Sequence, residues 1–128
     1  MVKDSADLKL CLVVDDSRVV RKVARRILED LGFEVAEAGD GAEALAWTRT
    51  AMPDAVLLDW NMPTMNGITF LRRLRQEPGG TKPRVIFCSA EGDLDRIREA
   101  LDGGADEYIM KPFDGDIVAS KLTLAGVL

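Results

Sequence analysis

Five polar side chains stand where short apolar runs of the sequence end. Asp15 and Asp16 follow the run at residues 8–14, and Asp59 follows the run at 55–58. Ser89 and Lys111 follow the runs at 84–88 and 107–110. In an open parallel α/β sheet, ligands bind outside the carboxyl ends of the strands. We therefore expect three acids, one hydroxyl and one amine to converge on one site.

Three carboxylates in one pocket require a compensating cation. Two carboxylates about 4 Å apart repel each other by roughly 4 kcal/mol at an effective dielectric constant near 20. Hard oxygen ligands favour Mg²⁺, which binds one or two carboxylates together with phosphate oxygens and keeps several waters. Such a site suits phosphoryl transfer, in which an Asp is the covalent nucleophile and Lys111 neutralises the phosphoryl oxygens. Ser89 can donate a hydrogen bond to one of those oxygens.

The elements that position these residues alternate between strand and helix. A fifth β-rich run at residues 33–36 joins the four already named, and apolar residues at helical spacing follow each run. Ser17 and Asp40 are expected N-caps, and Gly32 is expected to end the first helix. The helical sets are Val20, Val23, Ile27 and Leu31; Ala44, Leu45 and Trp47; Ile68, Leu71 and Leu74; Leu94, Ile97 and Leu101; and Val118, Leu122 and Ala125. This alternation predicts a doubly wound parallel sheet with helices on both faces.

Composition narrows the classes of function. The 128 residues carry a formal charge of −5, which weighs against nucleic-acid binding and favours protein partners. The sequence has no histidine, so Ser-His-Asp triads and histidine zinc sites are excluded. Cys11 and Cys88 lie in apolar runs and are expected to be buried thiols in a cytoplasmic protein. No apolar stretch is long enough for a membrane span, and residues 1–7 are expected to form a flexible tail before one domain at 8–128.

Four motifs together resemble the receiver domains of two-component response regulators, close to the CheY-like single-domain members. They are VVDDS at 13–17, LLDWNMP at 57–63 with MNG at 65–67, SAE at 89–91 and KPF at 111–113. The resemblance covers nearly the whole chain and implies the flavodoxin-like (βα)5 fold with strand order 2-1-3-4-5. It also implies a phospho-accepting regulator with self-limited autophosphorylation and autodephosphorylation, and not an enzyme in the usual sense.

The resemblance assigns a role to each acid of the site. Asp59 is implied to be the phospho-acceptor. Asp16 and Asp59 are implied to ligate Mg²⁺ directly together with the main-chain carbonyl of Asn61, and Asp15 is implied to act mainly through water. Asn61 and Glu91 occupy positions at which the family tunes the access of water to the phosphoryl group. This pair predicts a short-lived phosphoryl state; two solvated polar side chains are the alternative.

The remaining implied roles concern phosphate binding and its consequences. Lys111 is implied to pair with the phosphoryl oxygens, and the Lys111–Pro112 bond is expected to be cis. Ser89 stands where the family more often has Thr, which keeps the hydroxyl and removes a methyl group. Tyr108 is implied to turn inward when Ser89 moves toward the phosphate, so that the fourth helix, fifth strand and fifth helix contact a downstream protein. A half-exposed aromatic ring at a sheet edge is the alternative interpretation of Tyr108.

The first helix also carries a basic face, formed by Arg18, Arg21, Lys22, Arg25 and Arg26. This face is either simply solvated or a docking site for a phosphohistidine donor, a histidine kinase or a histidine phosphotransfer protein. We expect a monomer that contacts neither nucleic acid nor membrane and acts through noncovalent partners, since no output domain follows Leu128. Chemotaxis or motility is one expected setting.

Other functions remain as alternatives. They are a phosphorelay intermediate that passes phosphate to a histidine phosphotransfer protein, a phosphorylation-independent binding module, an aspartyl-phosphate phosphohydrolase and a flavodoxin-like cofactor binder. The phosphohydrolase lacks its general acid, because Asp15 and Asp16 are adjacent where that class has a D-x-D arrangement. The cofactor binder would need a hydroxyl- and glycine-rich loop after the first strand, and two carboxylates stand there instead.

Overall fold

The computed structural model describes residues 8–90 and 94–128. The expected tail at 1–7 and Glu91 lie outside these residues. Over the described residues, strands and helices alternate along the chain. In order they are β1 Leu10–Val14, α1 Arg18–Asp30, β2 Glu34–Ala38, α2 Gly41–Thr50, β3 Ala55–Asp59, α3 Gly67–Gln76, β4 Arg84–Ser89, α4 Leu94–Asp102, β5 Glu107–Met110 and α5 Gly115–Leu124.

The strands form one parallel sheet in the order β2-β1-β3-β4-β5, and this confirms the predicted fold class. The register aligns the carboxyl ends of the inner strands. Val14 pairs with Leu58, Asp59 pairs with Cys88, and Ser89 pairs with Met110. The residues that follow these strands are therefore brought to one edge of the sheet.

Two hydrophobic clusters cover the two faces of the sheet. One contains Val56, Phe70 and Leu71, and packs α2 and α3 with part of α4 against one face. The other contains Cys11, Leu28 and Leu122, and packs α1 and α5 against the opposite face. Alternate residues of each strand enter opposite clusters, as the two-residue period of a β-strand requires.

The ends of three elements differ from the sequence prediction. β1 begins at Leu10 instead of residue 8, and α1 ends at Asp30 with Leu31 as its C-cap. β2 occupies Glu34–Ala38 and not 33–36. It continues past Ala36 because Ala38 pairs with Val14 and is buried, while Glu37 points away from the core between them. A five-residue strand that contains two Glu and two Ala gives a weak apolar signal.

The apolar stripe predicted for α1 is partly wrong. Ala24 and Leu28 are the buried residues of this helix, whereas Val23 is 48% exposed. Ala24 and Leu28 lie four residues apart and therefore share the face that contacts the sheet. Val23 lies on the neighbouring face, together with Val19, which is also exposed. The helix consequently presents apolar side chains to solvent next to its core face.

Within residues 8–90 and 94–128, four helices begin with a side-chain cap. Oxygen atoms of Ser17, Asp40, Asn66 and Asp114 each accept a hydrogen bond from the main-chain N–H three residues later. Ser17 and Asp40 are thus confirmed as N-caps. Gly32 has a φ of +93°, a conformation that favours glycine after a helix.

Both cysteines are buried free thiols, as predicted. Burial raises the pKa of the Cys88 thiol to about 12 and also raises the pKa of Cys11 above its ordinary value. Neither thiol is therefore a reactive thiolate near neutral pH. None of the described helices has the length and apolar character required to cross a membrane.

Candidate functional site

Three carboxylates meet at the carboxyl edge of the sheet. Asp15 and Asp16 directly follow β1, and Asp59 is the last residue of β3. One carboxylate oxygen from each lies within 4.8 Å of the others. Asp15 and Asp59 are buried, at 3% and 8% exposure, while Asp16 is exposed. The site is therefore a pocket with two buried acids and one acid at its opening.

Lys111 reaches both buried acids from the end of β5. Its Nζ donates to Asp15 Oδ2 at 2.6 Å and to Asp59 Oδ1 at 3.2 Å. The other oxygen of Asp15, Oδ1, accepts a hydrogen bond from the Ser17 main-chain N–H at 2.9 Å. The Lys111–Pro112 bond is cis, which confirms the prediction. Four of the expected site residues, Asp15, Asp16, Asp59 and Lys111, are thus in one cluster.

The pocket shifts the protonation of its groups. Burial and the negative charges of Asp15 and Asp16 raise the pKa of Asp59 above its ordinary value, although Lys111 opposes the shift. Burial tends to lower the pKa of Lys111, but its hydrogen bonds and ion pairs with Asp15 and Asp59 outweigh this effect and raise it. Lys111 is therefore firmly protonated and positively charged. The ionised form of Asp59, in contrast, is less favourable in this pocket than in water.

The donor set of the pocket fits a hard divalent cation. Asp15, Asp16 and Asp59 bring three negative charges, and Lys111 brings one positive charge. Two negative charges thus remain for an ion of charge +2. Oxygen donors at an open pocket mouth suit Mg²⁺, which retains several waters and accepts further oxygen ligands from a substrate. The cluster is compatible with Mg²⁺ binding.

Ser89 and Tyr108 lie on neighbouring strands beside the pocket. Ser89 ends β4, and its main-chain carbonyl accepts a hydrogen bond from the Lys111 N–H at 2.7 Å. Tyr108 lies on β5, is half-buried, and pairs in register with Phe87. Both side chains line one small cavity of about 10 Å³ under α4. The structure thus brings the two residues predicted to act as a switch to a shared void.

The loop after β3 contains a close packing contact that the sequence analysis did not identify. Asn61 is exposed at the start of this loop, and Gly67 directly follows the loop as the first residue of α3. A Cβ atom at Gly67 would lie 2.3 Å from the main-chain oxygen of Asp59 and 3.0 Å from the Phe87 ring. Gly67 also donates its N–H to the carbonyl of Trp60 at 3.0 Å. The glycine of the MNG segment was the feature of the sequence that could have indicated this close approach.

A family model described as "Response regulator receiver domain" matches residues 11–123, and the chain belongs to this family. It is similar to the chemotaxis protein CheY of Pseudomonas aeruginosa, with 38% identity over 112 residues, 87% of this chain and 90% of that protein. The chemotaxis protein CheY of Bacillus subtilis is 41% identical over 108 residues, 84% of this chain and 88% of that protein.

Solved structures agree with this assignment. CheY4 of Vibrio cholerae matches with a TM-score of 0.87 and 30% identity, over 92% of this chain and 98% of that chain. A chain of the CheX–CheY–BeF3–Mg+2 complex from Borrelia burgdorferi matches with a TM-score of 0.86 and 32% identity, over 94% of this chain and 90% of that chain. The protein is therefore a CheY-like receiver domain, that is, a two-component signalling regulator.

Proposed function

We propose that this protein is a phosphorylation switch in which Asp59 accepts a phosphoryl group from a histidine-borne donor. The observation that carries the proposal is the contact of one lysine with two buried acids. Lys111 Nζ lies 2.6 Å from Asp15 and 3.2 Å from Asp59. An ammonium group held in this way stands beside the acceptor oxygen, where negative charge from an incoming phosphoryl group would accumulate.

The transfer itself is a displacement at phosphorus. A carboxylate oxygen of Asp59 forms a bond to phosphorus while the P–N bond to the donor histidine breaks, and the electron pair of that bond remains on the imidazole nitrogen. Lys111 pairs with a phosphoryl oxygen, and the Ser89 hydroxyl donates a hydrogen bond to another. A bound Mg²⁺ would supply positive charge to neutralise the phosphoryl oxygens. Asp16, Asp59 and the Asn61 carbonyl would bind it directly, and Asp15 would bind it through water.

The readout depends on the cavity that Ser89 and Tyr108 share. A phosphoryl group adds roughly −1.5 to −2 charges and three acceptor oxygens, which attract the Ser89 hydroxyl. Movement of Ser89 toward the phosphate enlarges the void under α4, and Tyr108 then turns into it. The surface of α4, β5 and α5 changes as a result. Met110 and Ile117, 53% and 38% exposed, are apolar residues on this face that a downstream protein would cover.

The donor would dock beside α1. The exposed residues Val19 and Val23 line an apolar cleft of about 410 Å³ together with Lys111 and Pro112. Lys111 thus belongs both to the cleft and to the acid pocket, so a partner seated in the cleft stands next to Asp59. The exposed basic residues of α1, Arg18, Lys22 and Arg26, would favour an acidic donor. A histidine kinase or a histidine phosphotransfer protein has the required phosphohistidine.

Chemotaxis is the setting that the relatives favour, because CheY proteins of two bacteria align with most of this chain. A complex of CheX with CheY in Borrelia burgdorferi gives an example of a relative bound to another protein. We propose that this chain acts in the cytoplasm, as a monomer, through comparable noncovalent contacts. Asn61 and Glu91 would set a short lifetime of the phosphoryl group by admitting water to it.

Intact mass after incubation with acetyl phosphate tests the proposal. The natural chain and Asp59→Asn are compared with and without MgCl₂. We expect one phosphoryl adduct on the natural chain with Mg²⁺, and none on the variant or without the metal. An adduct that forms on Asp59→Asn, or the absence of any adduct on the natural chain, would contradict the proposal. The second result would favour a phosphorylation-independent binding module.

A further inference from the structure

Arg21 extends from α1 to the end of β1, where the acid pocket begins. Its Nη1 donates a hydrogen bond of 2.7 Å to the main-chain oxygen of Asp15. Its Nε donates to Glu37 Oε1 on β2 at 3.2 Å. The side chain is only 18% exposed. Because one planar guanidinium makes both contacts, the ion pair with β2 fixes the direction of the hydrogen bond to Asp15.

The Asp15 carbonyl belongs to the peptide unit that joins Asp15 to Asp16. The N–H of Asp15 is held separately, by the carbonyl of Ala38 at 3.1 Å. The carboxylate of Asp15 has its own partners, Lys111 and the Ser17 N–H. The carboxylate of Asp16 is exposed and accepts no hydrogen bond from residues 8–90 or 94–128. The peptide plane before Asp16 places the Cα and Cβ atoms of this residue, so its orientation restrains where the carboxylate can reach.

We propose that Arg21 is a positioning residue for metal binding, which keeps the Asp16 carboxylate directed into the pocket by holding the Asp15 carbonyl. The inference rests on the proposed role of the acids as Mg²⁺ ligands. Residues that hold metal ligands in place contribute about 10- to 100-fold to metal affinity. A charge-assisted hydrogen bond of 2.7 Å from a largely buried guanidinium has the geometry for this function.

Glu37 reduces the electrostatic cost of placing the Arg21 guanidinium next to a cation site. It accepts hydrogen bonds from Arg21 and, at 2.6 Å, from Arg25 Nε. Burial tends to raise the pKa of Glu37, but Arg25 and Arg21 outweigh it and lower the pKa below its ordinary value. Glu37 is thus ionised at neutral pH and offsets much of the positive charge that Arg21 brings to the pocket. The hydrogen bond to Asp15 remains, while repulsion of Mg²⁺ is reduced.

Arg25 supplies a matched control. Arg21→Met and Arg25→Met each remove one positive charge and one hydrogen bond to Glu37, but only Arg21 contacts Asp15. Titration calorimetry with MgCl₂ gives the Kd of each variant. We expect a Kd about 10-fold higher for Arg21→Met and within about 2-fold of the natural value for Arg25→Met. Loss of a positive charge alone would tighten binding of a cation, so weaker binding cannot be a charge effect.

Two further measurements separate positioning from a general loss of structure. Arg21→Lys keeps a cation but replaces the planar fork by a single donor nitrogen, and we expect its Kd to rise only about 3-fold, a partial rescue relative to Met. With acetyl phosphate, Arg21→Met should need about 10-fold more Mg²⁺ but reach the natural maximal rate of adduct formation. Thermal unfolding in EDTA identifies the fraction of each variant that is folded.

Several outcomes would overturn the inference. They are a natural Kd for Arg21→Met, equal weakening in Arg21→Met and Arg25→Met, and a reduced maximal rate that saturating Mg²⁺ does not restore. If Arg21→Met does not fold, Arg21→Lys decides, and a natural Kd for it overturns the inference. A natural chain that binds no Mg²⁺ would instead contradict the proposed function, and the inference with it.

Discussion

The two sides of the site differ in how firmly their side chains are held. On the β1–β3 side, both oxygens of Asp15 have partners and Lys111 joins Asp15 to Asp59 within 3.2 Å. On the β4–β5 side, Ser89 and Tyr108 border a small cavity, and Met110 faces solvent. The comparison suggests a division of labour. In the function that we propose, phosphoryl transfer to Asp59 would use groups that are fixed before the donor arrives, and signalling would use groups that have room to move.

The largest expected effect comes from removing Lys111, which joins the two buried acids on the β1–β3 side. Lys111→Met removes the cation shared by Asp15 and Asp59 while keeping most of the side-chain volume. We expect adduct formation from acetyl phosphate to slow by about 100-fold or more, because charge on the phosphoryl oxygens is no longer neutralised. Mass spectrometry over time measures the rate.

Lys121→Met is the matched control for this change. Lys121 is also a half-buried lysine with an acidic partner, Glu107 at 3.3 Å, but it lies on α5 away from the pocket. Its substitution should leave the rate within about 3-fold of the natural value. Equal slowing in both variants would show that Lys111 matters only for stability.

The second prediction tests whether the acceptor strand is rigidly packed. Gly67→Ala places a Cβ 2.3 Å from the Asp59 carbonyl, and main-chain atoms of β3 cannot move without disturbing the pocket. We expect the free energy of unfolding to fall by about 2 to 3 kcal/mol. Gly115→Ala is the control, since its Cβ would meet only an Ile27 methyl at 3.9 Å. Urea unfolding compares the two, and equal stabilities would contradict the packing argument.

The third prediction concerns the β4–β5 side, where Ser89 and Tyr108 border the small cavity. Tyr108→Ala should leave the rate of adduct formation on Asp59 within about 2-fold of the natural value, because Tyr108 does not contact the acids of the pocket. It should also reduce any phosphorylation-dependent partner affinity about 10-fold. Hydrogen exchange of residues 94–110 gives a readout before a partner is known. We expect phosphodonor and Mg²⁺ to change exchange in the natural chain and in Tyr108→Phe, but not in Tyr108→Ala. Loss of the adduct in Tyr108→Ala would contradict the division of labour.

The sequence predicted the residues of the site better than it predicted the contacts that surround them. Asp15, Asp59 and Lys111 were predictable because each follows a short run of mainly apolar residues, and parallel strands bring their carboxyl ends together. The cis bond before Pro112 was predicted from the resemblance of the motifs to receiver domains. The contact of Arg21 with the Asp15 carbonyl was not predictable, since a basic residue on a helix face is ordinarily solvated.

The exposed valines of α1 and the extent of β2 were also missed. Val23 has helical spacing with Val20 and Ile27, but spacing alone does not tell which edge of an apolar stripe contacts the sheet. β2 continued through Glu37 because pairing with Val13 outweighs the low strand preference of Glu. Both errors arise where tertiary contacts decide an outcome that local sequence leaves open.

The smallest expected effect concerns the charge of Asp59, which is unfavourable in the metal-free pocket. The folded protein raises the pKa of Asp59, so protonation of this carboxyl is easier in the folded state than in the unfolded chain. The associated stability is complete at low pH and is lost as pH rises through the raised pKa. Asp59→Asn cannot ionise, and in EDTA at pH 7 we expect it to be more stable by about 1 kcal/mol, or about 3 to 5 °C in Tm.

The advantage of Asp59→Asn should decrease as the pH falls through the raised pKa of Asp59, because the natural carboxyl then becomes neutral as well. Thermal unfolding at several pH values measures this trend. Asp116→Asn, at an exposed position in the first turn of α5, should change stability by less than about 0.5 kcal/mol throughout. Saturating Mg²⁺ should stabilise the natural chain more than the variant, because the ion binds the ionised pocket. A natural chain that is the more stable of the two in EDTA at pH 7 would mean that Lys111 outweighs both the burial of Asp59 and its repulsion by Asp15 and Asp16, and would contradict the raised pKa of Asp59.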